Sequence, residues 1–137
     1  MVLIPNFPPV HFGCGAIGNL GRELLTRGIL KPLIITDPGL VEHGIYQNLY
    51  DALPSELSVA VYDQIPENPT IAGVEAALLV YQANNCDGIL ALGGGSVLDS
   101  GKALRVITNQ DKNLIAYLKD PSLITPDVAP YVTIPTT

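Results

Sequence analysis

Residues 88–92 (GILAL) are apolar at every position, so both faces of a strand formed there must be buried. Residues 32–36 (PLIIT) are similarly apolar and contain β-branched residues. A strand covered on both faces is typical of a parallel sheet, because the connecting helices pack on its two sides. These two runs therefore predict a layered fold built around a parallel sheet.

Helical spacing alternates with further strand-like runs along the rest of the chain. Strands are also predicted at residues 8–12 (PPVHF), 57–63 (LSVAVYD) and 131–134 (YVTI). Helices are predicted over residues 17–28, 41–53, 70–81, 96–108 and 113–118. This alternation predicts the α/β class: a Rossmann-like, mostly parallel sheet with helices on both faces.

Proline and glycine mark the expected boundaries between these elements. The DPG sequence at residues 37–39 predicts a turn, and Pro54 closes the helix that follows it. The next helix is capped either by Asn68, with Pro69 in the first turn, or by Thr70. The sequence does not decide between these two caps.

The composition is that of a folded globular chain. Of its 137 residues, 47% are hydrophobic and 15% are charged, and the formal net charge is −6. The seven Lys and Arg residues are scattered, so no basic patch is present to bind a phosphate backbone. We expect one domain, residues 1–137, and no nucleic-acid partner.

Three further features set expectations for location and metal binding. No run of 18 apolar residues occurs, so no membrane partner is expected. The N-terminal sequence lacks the basic start and cleavage site of a signal peptide. Cys14 and Cys86 are far apart, and neither they nor His11 and His43 show metal-ligand spacing. We expect a cytoplasmic protein with reduced thiols and no metal site within this chain.

Two glycine-rich loops compete for a phosphate-binding role. Gly13, Gly15 and Gly18 match G-x-G-x-x-G, and Asp37 follows at about the distance of a ribose-binding acid. The strand expected before them is short and contains two prolines, however, whereas a fingerprint strand is normally central. A turn that only lets a helix pack closely is therefore the alternative interpretation of this first loop.

The second loop, residues 93–96 (GGGS), follows the most apolar strand. Glycine backbone can lie against a pyrophosphate, and a following helix N-terminus adds partial positive charge. Ser96 is expected at the helix N-cap. Asp37, residues 93–96 and residues 136–137 each follow a predicted strand, so all should meet at one sheet edge.

Two segments, DGILALGGGSVLDSGKA at residues 87–103 and IPTT at residues 134–137, resemble the iron-containing (group III) alcohol dehydrogenases. FGCG, IITDPGL and ENPT are similar to other landmarks of that family, in the same order. The resemblance implies an α/β nucleotide-binding domain followed by a helical domain. The implied activity is reversible hydride transfer between a small alcohol or aldehyde and a nicotinamide cofactor.

The resemblance also implies roles for particular residues of this sequence. It assigns Gly94, Gly95 and Ser96 to the pyrophosphate and Asp37 to the adenosine ribose. Asn68 would lie near the adenine. The other positions that would line the cofactor are Asp99, Thr136 and Thr137. A carboxylate at Asp37 would repel a 2′-phosphate, so NAD is expected over NADP.

The family's metal, iron, is held by an aspartate and three histidines in the helical domain, and no residues here match those positions. The resemblance therefore implies that this chain carries no catalytic residue, is inactive alone, and belongs to an enzyme whose metal lies elsewhere. We also expect a homo-oligomer, because the face that would pack against the helical domain exposes apolar residues in this chain. Two alternatives remain open. One is a stand-alone nucleotide-binding regulatory module, and the other is the corresponding domain of a glycerol dehydrogenase-like enzyme.

Overall fold

The computed structural model describes residues 8–137, which form four strands and six α-helices. The strands are β1 (Pro32–Ile35), β2 (Ala60–Tyr62), β3 (Gly88–Gly93) and β4 (Tyr131–Pro135). The helices are α1 (Leu20–Thr26), α2 (Pro38–Glu42), α3 (Ile45–Asp51), α4 (Ile71–Ala83), α5 (Gly95–Ile107) and α6 (Leu114–Lys119). Short 3-10 helices cover Ala16–Asn19 and Pro121–Leu123.

The four strands form one sheet in the order β2-β1-β3-β4, and every neighbouring pair is parallel. In the central pair, residues 32–35 of β1 lie opposite residues 88–91 of β3. Both strands are buried along their whole length. The predicted α/β class with a parallel sheet is confirmed.

The side chains of the central strands alternate between two separate hydrophobic clusters. Leu33 and Ile35 face one cluster, to which α4, α5 and α6 contribute. Ile34 faces the other, to which α1 and α3 contribute. Helices therefore cover both faces of the sheet, as the apolar runs predict.

The connections leave the two central strands toward opposite faces. After β1 the chain continues into α2 and α3, and α3 packs on the second cluster. After β3 it continues into α5 on the first cluster. The boundary between β1 and β3 is thus a topological switch point, and open α/β sheets bind ligands in the crevice beyond the strand ends at such a point.

Asp87 fastens the same two strands at the opposite end of the sheet. Its carboxylate accepts hydrogen bonds from the backbone N–H groups of Leu30 and Lys31, at 3.0 and 2.8 Å. The backbone N–H of Asp87 in turn donates to the carbonyl oxygen of Lys31 at 3.0 Å. The start of β1 is therefore held beside the start of β3 by three hydrogen bonds.

The strand predicted at residues 8–12 is wrong, because this segment has no regular secondary structure. Pro8 and Pro9 have no backbone N–H to donate to a neighbouring strand. All five residues are exposed, and Phe12 is 98% exposed. The apolar character of this segment therefore does not place it in the sheet.

The single helix predicted over residues 41–53 is also wrong. Gly44 adopts a left-handed conformation, with φ of 77°, and separates α2 from α3. The DPG sequence begins α2 instead of forming a turn, because Asp37 caps the helix and Pro38 occupies its first position. Proline is well suited there, since the first helical N–H has no partner within the helix.

The open choice of cap for α4 is resolved in favour of Thr70. Its Oγ1 accepts a hydrogen bond from the backbone N–H of Gly73 at 3.0 Å. Val74, Ala77 and Tyr81 then form the buried stripe of the helix. The strand predicted over residues 57–63 is shorter than expected, at three residues.

Three ionisable groups that are buried or partly buried beside α4 and α5 have raised pKa values. Burial raises the pKa of Cys86 to about 11 and that of Tyr81 to about 12. Burial also raises the pKa of Tyr131, whose hydroxyl donates to the carbonyl oxygen of Leu98 at 2.7 Å. All three groups are therefore held in their neutral, protonated forms by the folded chain.

We predict that the free energy of unfolding falls as pH rises from about 9 to about 12. The unfolded chain loses these protons at lower pH, so in this window it binds fewer protons than the folded chain. Urea denaturation at a series of pH values measures the slope. Cys86→Ala should reduce the fall in the free energy of unfolding at the lower end of this pH window, whereas Cys14→Ala, at an exposed position, should not. A free energy independent of pH across this window would contradict the prediction.

Candidate functional site

The glycine loop joins β3 to α5 at the carboxyl edge of the sheet. Gly94 is the N-cap of α5 in an extended conformation, with φ of −84° and ψ of −167°. The prediction that Ser96 is the cap is wrong, because the chain enters the helix two residues earlier. The first helical hydrogen bond runs from the N–H of Leu98 to the carbonyl oxygen of Gly94 at 3.0 Å. The N–H groups of residues 95–97 therefore have no partner within the helix.

Each glycine of the loop meets a different neighbour. A Cβ at Gly93 would lie 2.6 Å from Cγ2 of Val97, so glycine is needed for α5 to pack on the strand. A Cβ at Gly94 would lie 3.3 Å from Oγ1 of Thr137. At Gly95 a Cβ would find no other described atom within 4 Å. The surface over Gly95 is thus open for an anion to approach the free N–H groups.

Ser96 faces the connector between β2 and α4. Its hydroxyl donates a hydrogen bond to the backbone carbonyl oxygen of Glu67. Asn68, the next residue, is exposed beside this contact. The structure therefore places Asn68 directly after the residue that contacts the glycine loop, and it gives the Ser96 hydroxyl a protein partner.

Asp37 stands at the end of β1 and is half-buried. Its Oδ1 accepts a hydrogen bond from the backbone N–H of Leu40 at 3.0 Å. The same carboxylate thus both caps α2 and lies on the switch-point side of the sheet. The cap therefore holds the Asp37 carboxylate at this edge of the sheet.

Thr136 and Thr137 follow β4 and are both exposed. The N–H of Thr136 donates to the carbonyl oxygen of Gly93 at 3.0 Å, which ties the end of β4 to the glycine loop. Asp99 is the outlier of the predicted set. It lies on the solvent side of α5, where its carboxylate accepts a hydrogen bond from Nζ of Lys102 at 3.0 Å.

Sequence reasoning missed Thr36, the buried residue between β1 and Asp37. Its Oγ1 donates a hydrogen bond to the carbonyl oxygen of Leu92 on β3 at 2.8 Å. In the sequence, a threonine at the end of an apolar run indicates only a β-branched strand residue. A polar side chain inside a strand buried on both faces is the signal that points to it, because such a group needs a partner.

The first glycine loop has a different environment. It lines an open depression of about 220 Å³ and leads into the 3-10 helix before α1. Two of its N–H groups are used internally, since Ala16 donates to Gly13 and Gly18 donates to Gly15. No strand precedes the loop within residues 8–12. It therefore lacks the strand–loop–helix context of a phosphate-binding fingerprint.

Other surface features do not lie at the carboxyl edge. A second depression, of about 390 Å³, is lined by residues between Tyr50 and Val59. In the part of the chain that the structure describes, no three His, Cys, Asp or Glu side chains cluster closely enough to hold a metal ion. Over the same residues, no helix is long and apolar enough to cross a membrane.

Comparison with known proteins places this geometry in a family. The family model described as iron-containing alcohol dehydrogenase matches residues 8–137. The chain belongs to this family. The match extends over every residue that the structure describes, and it confirms the resemblance seen in the sequence.

Curated relatives of this iron-containing alcohol dehydrogenase chain are longer proteins. A 4-hydroxybutyrate dehydrogenase from Cupriavidus necator is 36% identical over 100% of this chain and 36% of its own length. A lactaldehyde reductase from Escherichia coli is 41% identical over 72% of this chain and 26% of its own length. The chain thus spans about a third of the length of the curated relatives that it matches.

Solved structures of similar proteins share the fold. A 1,3-propanediol oxidoreductase superposes with a TM-score of 0.82 at 29% identity, over 91% of this chain and 33% of its own. A sulfoacetaldehyde reductase from Bifidobacterium kashiwanohense, solved in complex with NAD+, gives a TM-score of 0.84 at 27% identity. That match covers 100% of this chain and 37% of the reductase chain. The Rossmann-like fold class is therefore confirmed.

Proposed function

We propose that residues 1–137 are the NAD-binding domain of a dehydrogenase that interconverts small alcohols and aldehydes. The observation that carries the proposal is the position of the glycine loop. It places the free N–H groups of α5 at the switch point, with Asp37 at the end of the adjacent strand. Ligands of open α/β sheets bind at such a crevice.

The pyrophosphate would be held mainly by backbone N–H groups of the loop. Gly95 leaves them uncovered, and α5, with 13 residues, adds the partial positive charge of its N-terminus. The Ser96 hydroxyl donates to Glu67, so its role is to hold the connector against the loop. The residues present fit a dinucleotide phosphate by this test.

The remaining predicted residues would surround the rest of the cofactor. Asp37 would accept hydrogen bonds from the adenosine ribose, and Asn68 would lie on the adenine side. Thr136 and Thr137 would form the wall on the β4 side of the loop. Asp99 would line the cofactor only after its pairing with Lys102 is broken, so it is the weakest member of the set.

In the whole enzyme, the bound nicotinamide supplies the hydride chemistry. This chain's residues bind and orient the cofactor, and we place no catalytic residue among them. The described residues do not fit the family's metal, because no set of three ligand side chains clusters among them. We propose that a divalent metal, iron, is bound by residues outside this chain.

The setting of the enzyme is also part of the proposal. We propose a cytoplasmic homo-oligomer without nucleic-acid or membrane partners, which agrees with two free cysteines and a net charge of −6. A regulatory module that binds nucleotide without chemistry would share the cofactor site. The two functions differ in turnover by the whole protein, so an assay of alcohol oxidation separates them.

The loop assignment predicts that Gly95→Val weakens NAD binding at least tenfold, or about 1.4 kcal/mol. The added side chain would enter the open space over the free N–H groups, where a Cβ meets no atom within 4 Å outside its chain neighbours and the backbone of its own helix. Isothermal titration measures the affinity, and circular dichroism checks folding. The matched control is Gly18→Val, at an equally open position of the first loop. If Gly18→Val is the more damaging change in a folded protein, the two loops have been assigned the wrong way round.

Cofactor choice is predicted to depend on the charge of Asp37. Asp37→Asn should keep the helix cap, because the amide oxygen can still accept from Leu40, but it should remove repulsion of a 2′-phosphate. We expect the preference for NAD over NADP to shrink about tenfold, from a repulsion of ~1 kcal/mol or more. Asp51→Asn changes the net charge equally and should leave the preference unchanged. Equal binding of both cofactors by the wild-type chain would refute the assignment.

The 137-residue chain alone is predicted to bind NAD without catalysing alcohol oxidation. Supplied with NAD, ferrous iron and a panel of simple alcohols, it should produce no NADH above the buffer background. The reason is that no three potential metal ligands cluster among residues 8–137. Absorbance at the NADH band gives the measurement, and titration calorimetry on the same sample confirms that cofactor is bound. Metal-dependent turnover by this chain would contradict the prediction.

A further inference from the structure

Apart from tyrosines, Thr36 and Ser100 are the only residues with a polar side chain that are buried in the part of the chain that the structure describes. Thr36 is 0% exposed and lies beside Asp37, on the side of β1 that faces the strand leading into the glycine loop. Its Oγ1 donates to the carbonyl oxygen of Leu92 at 2.8 Å, and Leu92 is 2% exposed. Water therefore cannot readily replace this hydrogen bond.

The backbone groups of Thr36 form their hydrogen bonds on the β2 side of β1, away from β3. Its N–H donates to the carbonyl oxygen of Tyr62 at 3.0 Å, and its carbonyl oxygen accepts from the N–H of Ile65 at 3.2 Å. Pairing between β1 and β3 ends one residue earlier, at Ile35 and Ala91. The hydroxyl thus extends the contact between the central strands to the edge where the crevice opens.

The two partners flank the groups proposed to hold the nucleotide. Thr36 directly precedes Asp37, and Leu92 lies two residues before Gly94. A change in the distance between Thr36 and Leu92 would therefore move the carboxylate relative to the phosphate loop. We propose that Thr36 is a positioning residue that sets the separation between the ribose and pyrophosphate subsites. This inference rests on the proposed cofactor site.

If Thr36 sets the separation of the subsites, its loss should affect ligands that occupy both subsites more than ligands that occupy one. A general loss of stability would weaken the binding of all of them. Adenosine diphosphate carries a ribose and a pyrophosphate, so it must engage both subsites at their native separation. Adenosine engages only the ribose subsite, and inorganic pyrophosphate engages only the loop. Linked groups gain affinity only when the geometry allows both to bind together. Loss of the Thr36 contact should therefore weaken the two-subsite ligand selectively.

The test measures binding of adenosine diphosphate, adenosine and inorganic pyrophosphate to the 137-residue chain by NMR titration. Thr36→Val removes the hydroxyl at nearly constant volume, and we expect it to weaken adenosine diphosphate about tenfold. Affinity for the two fragments should change less than about twofold. Thr36→Ser keeps the hydroxyl and should restore near wild-type binding of all three ligands.

Thr108→Val is the matched control, because it removes a hydroxyl that donates to the carbonyl oxygen of Arg105, away from the crevice. It should leave all three affinities unchanged. The inference is overturned if Thr36→Val weakens all three ligands equally or none of them. If the wild-type chain binds none of the three, the proposed function itself fails and the inference falls with it. Should Thr36→Val not fold, the comparison of Thr36→Ser with Thr36→Ala decides by the same criterion.

Discussion

Burial of β1 and β3 on both faces is the constraint on which the rest of this structure depends. Each strand sends alternate apolar side chains into two different clusters, so neither cluster is complete without helices on its own side. The chain meets this requirement by leaving β1 toward one face and β3 toward the other. That divergence makes the boundary between the two strand ends a topological switch point. The candidate site is thus a geometric consequence of how the core is covered.

Several groups at the carboxyl ends of β1 and β3 have structural roles of their own. Asp37 caps α2, Ser96 holds the connector that carries Asn68, and Gly93 allows α5 to pack against its strand. These contacts fix the loop and the carboxylate in place without a ligand. Gly95 differs, because nothing in the described fold fills the space beside it. It is the position of the loop at which the fold leaves room for something else.

Much of the fold could be predicted because its central strands are unambiguous in sequence. GILAL and PLIIT are apolar on both alternating faces, and few folds bury such strands except parallel sheets. The strand prediction at PPVHF is wrong because it rests on the apolar residues and neglects two prolines that cannot donate backbone hydrogen bonds. The break between α2 and α3 at Gly44 is missed in the sequence, because a regular spacing of apolar residues carries no sign of one left-handed residue. The predicted boundaries of strands and helices are wrong where the backbone conformation of a single residue decides them.

The site could be predicted in outline, since strand ends and glycine loops are visible in the sequence. Its internal contacts could not. Ser96 was expected as a cap, but Gly94 takes that position and the hydroxyl turns to a residue 29 positions away. Thr36 looked like an ordinary strand residue, because its partner, Leu92, lies 56 positions along the chain. Contacts between residues so distant have no local signature, and their discovery required the folded structure.

The pairing of β1 with β3 also has a consequence for how this chain folds. Asp87 closes it at one end and Thr36 at the other, and these hydrogen bonds join residues 56 or 57 positions apart. Closing so long a loop costs chain entropy before any contact offsets it, and such non-local pairing is slow. On a ribosome, β1 would have to wait unpaired on this side until β3 had emerged. Until then, the apolar side chains of β1 would lack the partners that bury them in the folded chain.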